Sequence, residues 1–399
     1  MPDASTIGRH LKRLRGERGL SQEALAERAG LSKDLVAKLE QGRRTSCRVT
    51  SLMRLAVALD VEVGDLTGKR ERLGADRDGG SILALRDAIL SPSLLPSMPG
   101  MPGLDPDDGG EPTPLADLES AITAANARYW EGDFGPLLTT TAGLIAEARL
   151  TRREVGPRAA GALAQVYQLG AALMLQLGKS DLAAIAAERG IAAAAEGDDV
   201  MQWAAVHATY AWVLLRQARL AESEALAVRV AEQIEPSWKA PAEHLVVWGN
   251  LLLNALAPRV VAGKDPAEYL GLVAGAAARL GQRVHAYQTS LGPTSVAMQT
   301  AYSYAVLRQP GKVMQAAGQV NPGDLPRISY GRHLLDVAQA HVDARQPRAA
   351  EARLDEARSL APVWFRHQSL ARSLVAEVRE IQTRPSPVTR RLVEAVGLD

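Results

Sequence analysis

Apolar residues recur three and four apart in two long stretches of this chain, and the segment between them breaks that rhythm. In the first stretch Ile7, Leu11 and Leu14 mark one face of an amphipathic helix, with Lys12 and arginines between them. Gly19 ends that helix, and Ser21 caps a second, whose small apolar face is Ala24, Leu25 and Ala29. The capping box is incomplete, because Ala24 stands at the third helical position and Glu23 comes one residue early. Gly30 supplies the turn, and Ser32 caps a third helix with Asp34 in its first turn, where the helix dipole favours an acid. Val36 and Leu39 face inward, and Gly42 stops the helix. Leu52, Leu55, Ala56 and Leu59 predict a fourth helix, and residues 63–66 a short fifth.

The rhythm then fails. Residues 69–80 are charged and contain glycine, and SILALRDAIL (81–90) predicts a short apolar helix able to dock on either side or on a second copy. Residues 91–114 carry seven prolines and four glycines, which prevents regular structure. The expected division is a domain at 1–70, a linker at 71–114 and a second domain at 115–399.

From Leu115 the pattern is helical throughout and rich in Ala and Leu. Breaks marked by Gly132, Gly178, Ala218, Gly263, Pro310 and Pro347 follow at intervals of 46, 40, 45, 47 and 37 residues, near the length of a repeated helix pair. Stretches such as DLAAIAAERGIAAAA (181–195) follow the breaks, and their small side chains let helices approach closely. A last pair, at 363–382 and 386–396, is expected to cap the array. The expected fold class is all-α.

Charge sharpens the division. Residues 1–72 hold 15 Lys/Arg and 10 Asp/Glu, a surplus of five on a chain of net +1, so the remainder is −4. A basic head on a mildly acidic body fits a polyanionic partner for the head. The one cysteine, Cys47, excludes an internal disulfide framework and a cysteine-based zinc site. No apolar run reaches the ~18–20 residues a membrane helix needs, and the N-terminus lacks the pattern of a secretory signal. A cytoplasmic protein without a membrane partner is expected.

The head resembles the Xre/Cro-type, phage-repressor-like helix-turn-helix family. The resemblance rests on Ile7-Gly8-Arg9-x-Leu11-x-x-Leu14-Arg15, Leu20-Ser21-Gln22, Ala26, Ala29-Gly30-Leu31-Ser32, Leu39-Glu40-x-Gly42 and Leu55-Ala56-x-Ala58-Leu59. It implies a five-helix domain that binds pseudo-palindromic double-stranded DNA as a homodimer. It also implies a recognition helix at 32–41 and a phosphate contact from Gln22. Helical geometry turns Lys33, Asp34, Ala37 and Lys38, after the Ser32 cap, away from the buried Val36 and Leu39. Lys33 and Lys38 suit guanine or phosphate, and Asp34 a cytosine amine. Arg43, Arg44 and Arg48 are expected to clamp the backbone.

The body resembles degenerate tetratricopeptide repeats, most closely at PRAAEARLDEARSLAP (347–362). Such arrays are superhelical, with first helices lining a concave surface that takes a peptide, a protein segment or a smaller ligand. The expected lining set is Tyr167, Trp203, His207, Tyr210, His244, Trp248, Asn250, Asn254, Gln299, Tyr302 and His333, with His207 and Tyr210 sharing one helix face.

Catalytic and cofactor motifs are missing. Gly178-Lys179-Ser180 ends like a phosphate loop, but Leu173 stands where its first glycine belongs. His333 and His341 have poor zinc spacing. The sequence therefore reads as a non-enzymatic, cofactor-free transcriptional regulator. Its body is expected to sense a peptide or small molecule and to control dimer geometry on the operator. The alternative is an interaction scaffold whose repeats hold a partner protein, with DNA binding secondary.

Overall fold

In a computed structural model the chain is described over residues 6–44, 47, 49–61, 65–66, 82–91 and 111–398, which form a helical head, a helical body and one β-hairpin. The head comprises α1 (Thr6–Glu17), α2 (Gln22–Arg28), α3 (Lys33–Glu40) and α4 (Val49–Leu59). Both expected caps are made: Ser21 Oγ accepts from the Ala24 amide at 3.0 Å, and Ser32 Oγ from the Leu35 amide at 3.2 Å. Gly19, Gly30 and Gly42 take φ of 63°, 60° and 68°, a region where a Cβ would clash, and so end their helices sharply. Leu11, Leu25, Val36, Leu39 and Leu55 are fully buried between the four helices. Of the expected fifth helix, 63–66, residues 63–64 lie outside the described residues, while Asp65 and Leu66 are helical and Leu66 is buried.

The short apolar helix α5 (Ile82–Ile89) packs into the body. Leu85 and Ile89 are fully buried there, and Arg149 donates to the Ala88 carbonyl. Residues 92–110 of the linker lie outside the described residues.

The body is a run of six helix pairs. They are α6 (Leu115–Glu131) with α7 (Phe134–Val155), α8 (Ala160–Gln176) with α9 (Ser180–Ala195), and α10 (Val200–Arg216) with α11 (Leu220–Gln233). Then come α12 (Ala242–Val261) with α13 (Ala267–Leu280), α14 (Pro293–Val306) with α15 (Pro310–Ala317), and α16 (Arg327–Asp343) with α17 (Pro347–Leu360). Each pair turns on one left-handed residue: Gly132, Gly178, Ala218, Gly263, Arg308 and Arg345. In the last two pairs that residue precedes the marked proline by two places, and Pro310 and Pro347 open the second helix, where a missing N–H costs nothing. Small residues set the spacing, as expected. A Cβ on Gly190 of α9 would stand 3.0 Å from Val206 and 3.3 Å from Tyr167.

Three expectations need correction. The body is not helical throughout: β1 (Val284–Ala286) and β2 (Thr289–Leu291) form an antiparallel hairpin between α13 and α14. Its two-residue turn is Tyr287-Gln288, both at positive φ (47° and 63°), so it lacks the Asn-Gly or Asp-Gly signal that announces such turns. The penultimate helix is also broken, into α18 (Pro362–His367) and α19 (Ser369–Ile381), before α20 (Pro387–Ala395). Gln368 is extended at the break, and its amide donates to Gln176 of α8 at 3.1 Å. Finally, α12 is long and apolar enough to span a membrane, but it packs against α10, α11 and α13 within the body.

The array closes on itself. Arg327 of α16 pairs with Glu131 of α6 at 2.7 Å, and α18 lies against α7. One apolar cluster therefore runs from α5–α9 directly into α16–α20, and a second fills the middle pairs around α10–α14.

Candidate DNA-binding face and central cavity

The outer face of α3 carries the expected polar set. Lys33, Asp34 and Lys38 are exposed and Ala37 is half-buried, while Val36 and Leu39 hold the opposite side in the core. In the free protein both lysines have acidic partners, Lys33 with Glu23 at 3.1 Å and Lys38 with Asp34 at 2.7 Å. Exposed pairs of this kind hold weakly, so phosphate oxygens can replace the carboxylates. Arg43 is exposed beyond the end of α3, Arg44 approaches Glu377 of α19 at 3.9 Å, and Arg48 lies outside the described residues.

A polar knot sets the α3 axis against α1 and α2. Arg15 Nε donates to Glu40 at 2.6 Å, Arg15 also donates to the Leu20 carbonyl at 2.6 Å, and Gln22 Nε2 donates to Glu40 at 2.8 Å. Gln22 is thereby fixed at the start of α2 with its amide oriented. Burial pushes the Glu40 carboxyl up, but the hydrogen bonds from Arg15 and Gln22 and the Arg15 charge outweigh it, and the group sits below its ordinary 4.5. A depressed carboxyl stabilises the fold above the unfolded value and loses that contribution as pH falls through the folded one. Glu40→Ala is therefore expected to destabilise the head by about 2–3 kcal/mol at pH 7, since it strips a largely buried Arg15 of its partner. The deficit should shrink below pH 4.5, and urea unfolding followed at both pH values measures it.

The first helices of all six pairs enclose a cavity of about 370 Å³. Its apolar wall includes Leu169, Trp212, Leu253, Met298 and Val306, and its polar wall is mostly amide: Asn126, Gln168, Asn250, Asn254, Gln288, Gln299 and Gln339. Asn254 donates to the Asn250 carbonyl at 2.9 Å, and the hairpin closes one side, with Gln288 donating to the Gln165 carbonyl at 2.7 Å. Three charged groups line the wall: Arg216, Arg332 and Asp336. Arg332 Nε lies 3.3 Å from Asp336 and its guanidinium stacks 5.3 Å from the Tyr302 ring centroid. Burial pushes the Tyr302 hydroxyl up to about 12, and holds Asp336 above the usual carboxylate value in spite of Arg332.

Of the expected lining set, Asn250, Asn254, Gln299 and Tyr302 reach the cavity, and the others do not. Tyr167 is buried in the core, with Arg149 donating to its hydroxyl at 2.9 Å. The Trp203 and His207 rings lie tilted against each other with centroids 4.1 Å apart, and His207 Nδ1 donates back to the Trp203 carbonyl at 2.8 Å. The Tyr210 hydroxyl donates to Glu188, and His244 Nε2 donates to the Ile234 carbonyl. Trp248 packs on the middle cluster. His333 is buried beside Tyr330, and burial drives its imidazole down to about 4, so it stays neutral. The reason is helical phase. On α10 the inward residues are Ala208, Thr209, Trp212, Leu215 and Arg216, so Trp203, His207 and Tyr210 point the other way. Arg216, Arg332 and Asp336 were missed because charges on helices ordinarily read as solvated.

Head and body share a seam at this cavity. Met53 of α4 lines it and packs against Leu215 and Val261. Arg54 Nε donates to the Val261 carbonyl at 3.1 Å, and Ser373 Oγ to the Cys47 carbonyl at 3.3 Å. Cys47 is buried in the seam, which pushes its thiol up to about 12 and makes it unreactive. Lys33, Asp34 and Lys38 remain exposed with the head docked in this way.

Residues 6–67 match the helix-turn-helix domain family. Over 87 residues the chain is 31% identical to the HTH-type transcriptional regulator SinR of Bacillus subtilis (strain 168), a match spanning 21% of this chain and 78% of that protein. SinR of Bacillus licheniformis is 31% identical over 70 residues, 18% of this chain and 63% of that protein, so less than two thirds of the latter is covered. An uncharacterized HTH-type transcriptional regulator of Sinorhizobium fredii, y4dJ, is 44% identical over 55 residues, 14% of this chain and 70% of that protein. Among solved structures, BtubC (BKLC) from P. vanneervenii aligns with 61% of this chain and 90% of its own at 15% identity, with a TM-score of 0.36.

Proposed function

Because the chain belongs to the HTH-type transcriptional regulators, we propose that it is a sequence-specific regulator whose body takes a peptide or small molecule and sets how two heads meet an operator. Lys33, Asp34 and Lys38 read base edges and phosphates from α3. Gln22, with the basic residues 43, 44 and 48, holds the backbone. One head offers few base-reading side chains, so a homodimer on two half-sites supplies the affinity and the specificity. The observation that carries the sensing part is Met53: a residue of the DNA-binding head forms part of the wall of the body's cavity. A ligand there meets the head directly, and any difference in its affinity for docked and undocked heads becomes a difference in operator affinity.

The test weakens the seam without touching α3. Met53→Ser with Arg54→Ala is expected to change affinity for a two-half-site DNA by at least about five-fold, the low end of ordinary coupling, and to leave a single half-site unaffected. Equal affinities for both DNAs in variant and parent would overturn the coupling.

A further inference from the structure

The cavity is electrostatically unbalanced. It holds two guanidinium groups and one carboxylate. Arg332 takes the carboxylate, Asp336, and the aromatic face of Tyr302. Arg216, in the last turn of α10, has no hydrogen bond or ion pair with any described residue. It is left facing the charge of Arg332, and burial followed by that neighbour lowers its affinity for its own proton. An unpartnered cation in a low-dielectric site is costly unless something neutralises it. A carboxylate is the natural counter-charge, because its two oxygens match the guanidinium fork.

Two further features narrow the chemistry. Asp336 Oδ2 and Trp130 Nε1 are buried without hydrogen-bond partners, and both residues line the cavity. Asp336 Oδ2 calls for a donor and Trp130 Nε1 for an acceptor. The remaining wall, with Leu169, Leu253, Met298 and Val306, is apolar. The volume of about 370 Å³ is near the lower end for small-molecule sites and short of an extended peptide of many residues.

We infer that the cavity binds a small amphipathic carboxylate of the N-acyl amino acid type. Its carboxylate pairs with Arg216, its amide N–H donates to Asp336 and its acyl chain lies on the apolar wall. This rests on the reading of the body as a sensor.

The test is calorimetric titration of the full chain with N-octanoylglycine, its methyl ester and the tetrapeptide Leu-Leu-Leu-Gly. The free acid is expected to bind at least ten-fold more tightly than the ester. Arg216→Gln should narrow that gap below three-fold and leave ester affinity where it was. That variant removes an unpaired charge, so its thermal midpoint should equal or exceed the parent's, which separates lost binding from lost folding. Absence of acid binding, equal binding of acid and ester, a gap that survives Arg216→Gln, or tighter binding of the tetrapeptide each overturns the inference. The sensor reading fails separately, through the Met53/Arg54 variant, whose DNA measurement needs no ligand.

Discussion

Lys33→Ala combined with Lys38→Ala should lower the affinity of the full chain for its DNA site by about 2–4 kcal/mol, roughly 30- to 1000-fold. Each lysine stands on the exposed face of α3, and a good base contact is worth about 1–3 kcal/mol. If either lysine binds phosphate, the slope of log affinity against log salt should also fall by about one for each phosphate no longer neutralised. Fold stability should barely change, because the pairs these lysines make with Glu23 and Asp34 are solvent-exposed. Fluorescence anisotropy with a site selected from random DNA, at several salt concentrations, makes the measurement. Unchanged affinity and slope would remove α3 from the interface.

The second large effect concerns the closed array. Trp364 is 2% exposed, and its ring lies 2.8 Å from where a Cβ on Gly331 would stand, so that glycine exists to admit it. Its own Cβ is 3.4 Å from the same point on Gly132, in the turn between α6 and α7. Trp364 thus packs the last helices against the first pair. Trp364→Ala should cost about 3–5 kcal/mol, the usual range for emptying a buried aromatic site. Trp238 is the control. It is 85% exposed, with Arg279 stacked on it at 5.3 Å, and its replacement by alanine should stay within about 0.5 kcal/mol. Chemical denaturation of the three proteins checks both values. A small loss for Trp364→Ala would mean that the first and last pairs do not stabilise each other.

The head was legible in the sequence because its determinants act locally. Ser21 and Ser32 cap the next few residues, Gly19, Gly30 and Gly42 turn the chain where they stand, and Leu11, Val36 and Leu39 have polar neighbours that fix their phase. The body offered less contrast. Twelve of the 17 residues of α8 are buried, so hardly any polar positions remain to show which side faces the cavity. Amides fixed the phase on α12 and α14, where Asn250, Asn254, Gln299 and Tyr302 were found. On α10 aromatic residues misled, because Trp203 and Tyr210 serve packing and surface contacts while Thr209 and Arg216 face inward. The hairpin was invisible for a different reason: Tyr287 and Gln288 hold a turn that glycine or asparagine normally makes, and contacts distant in sequence support it beside its own short ladder, such as the Tyr287 hydroxyl on Asp199 at 3.1 Å.

The meeting of the array's two ends also matters during synthesis. An open array can fold behind the ribosome, each pair settling on the one before it. Here the turn at Gly132 is covered by Ile328, Ala361 and Trp364, which emerge some 200 residues later. At roughly 5–20 residues per second, the first pair waits about ten to forty seconds with that apolar seam open. The nascent chain is therefore exposed to misassembly over an interval fixed by translation rate, and slow codons between α7 and α18 would lengthen it.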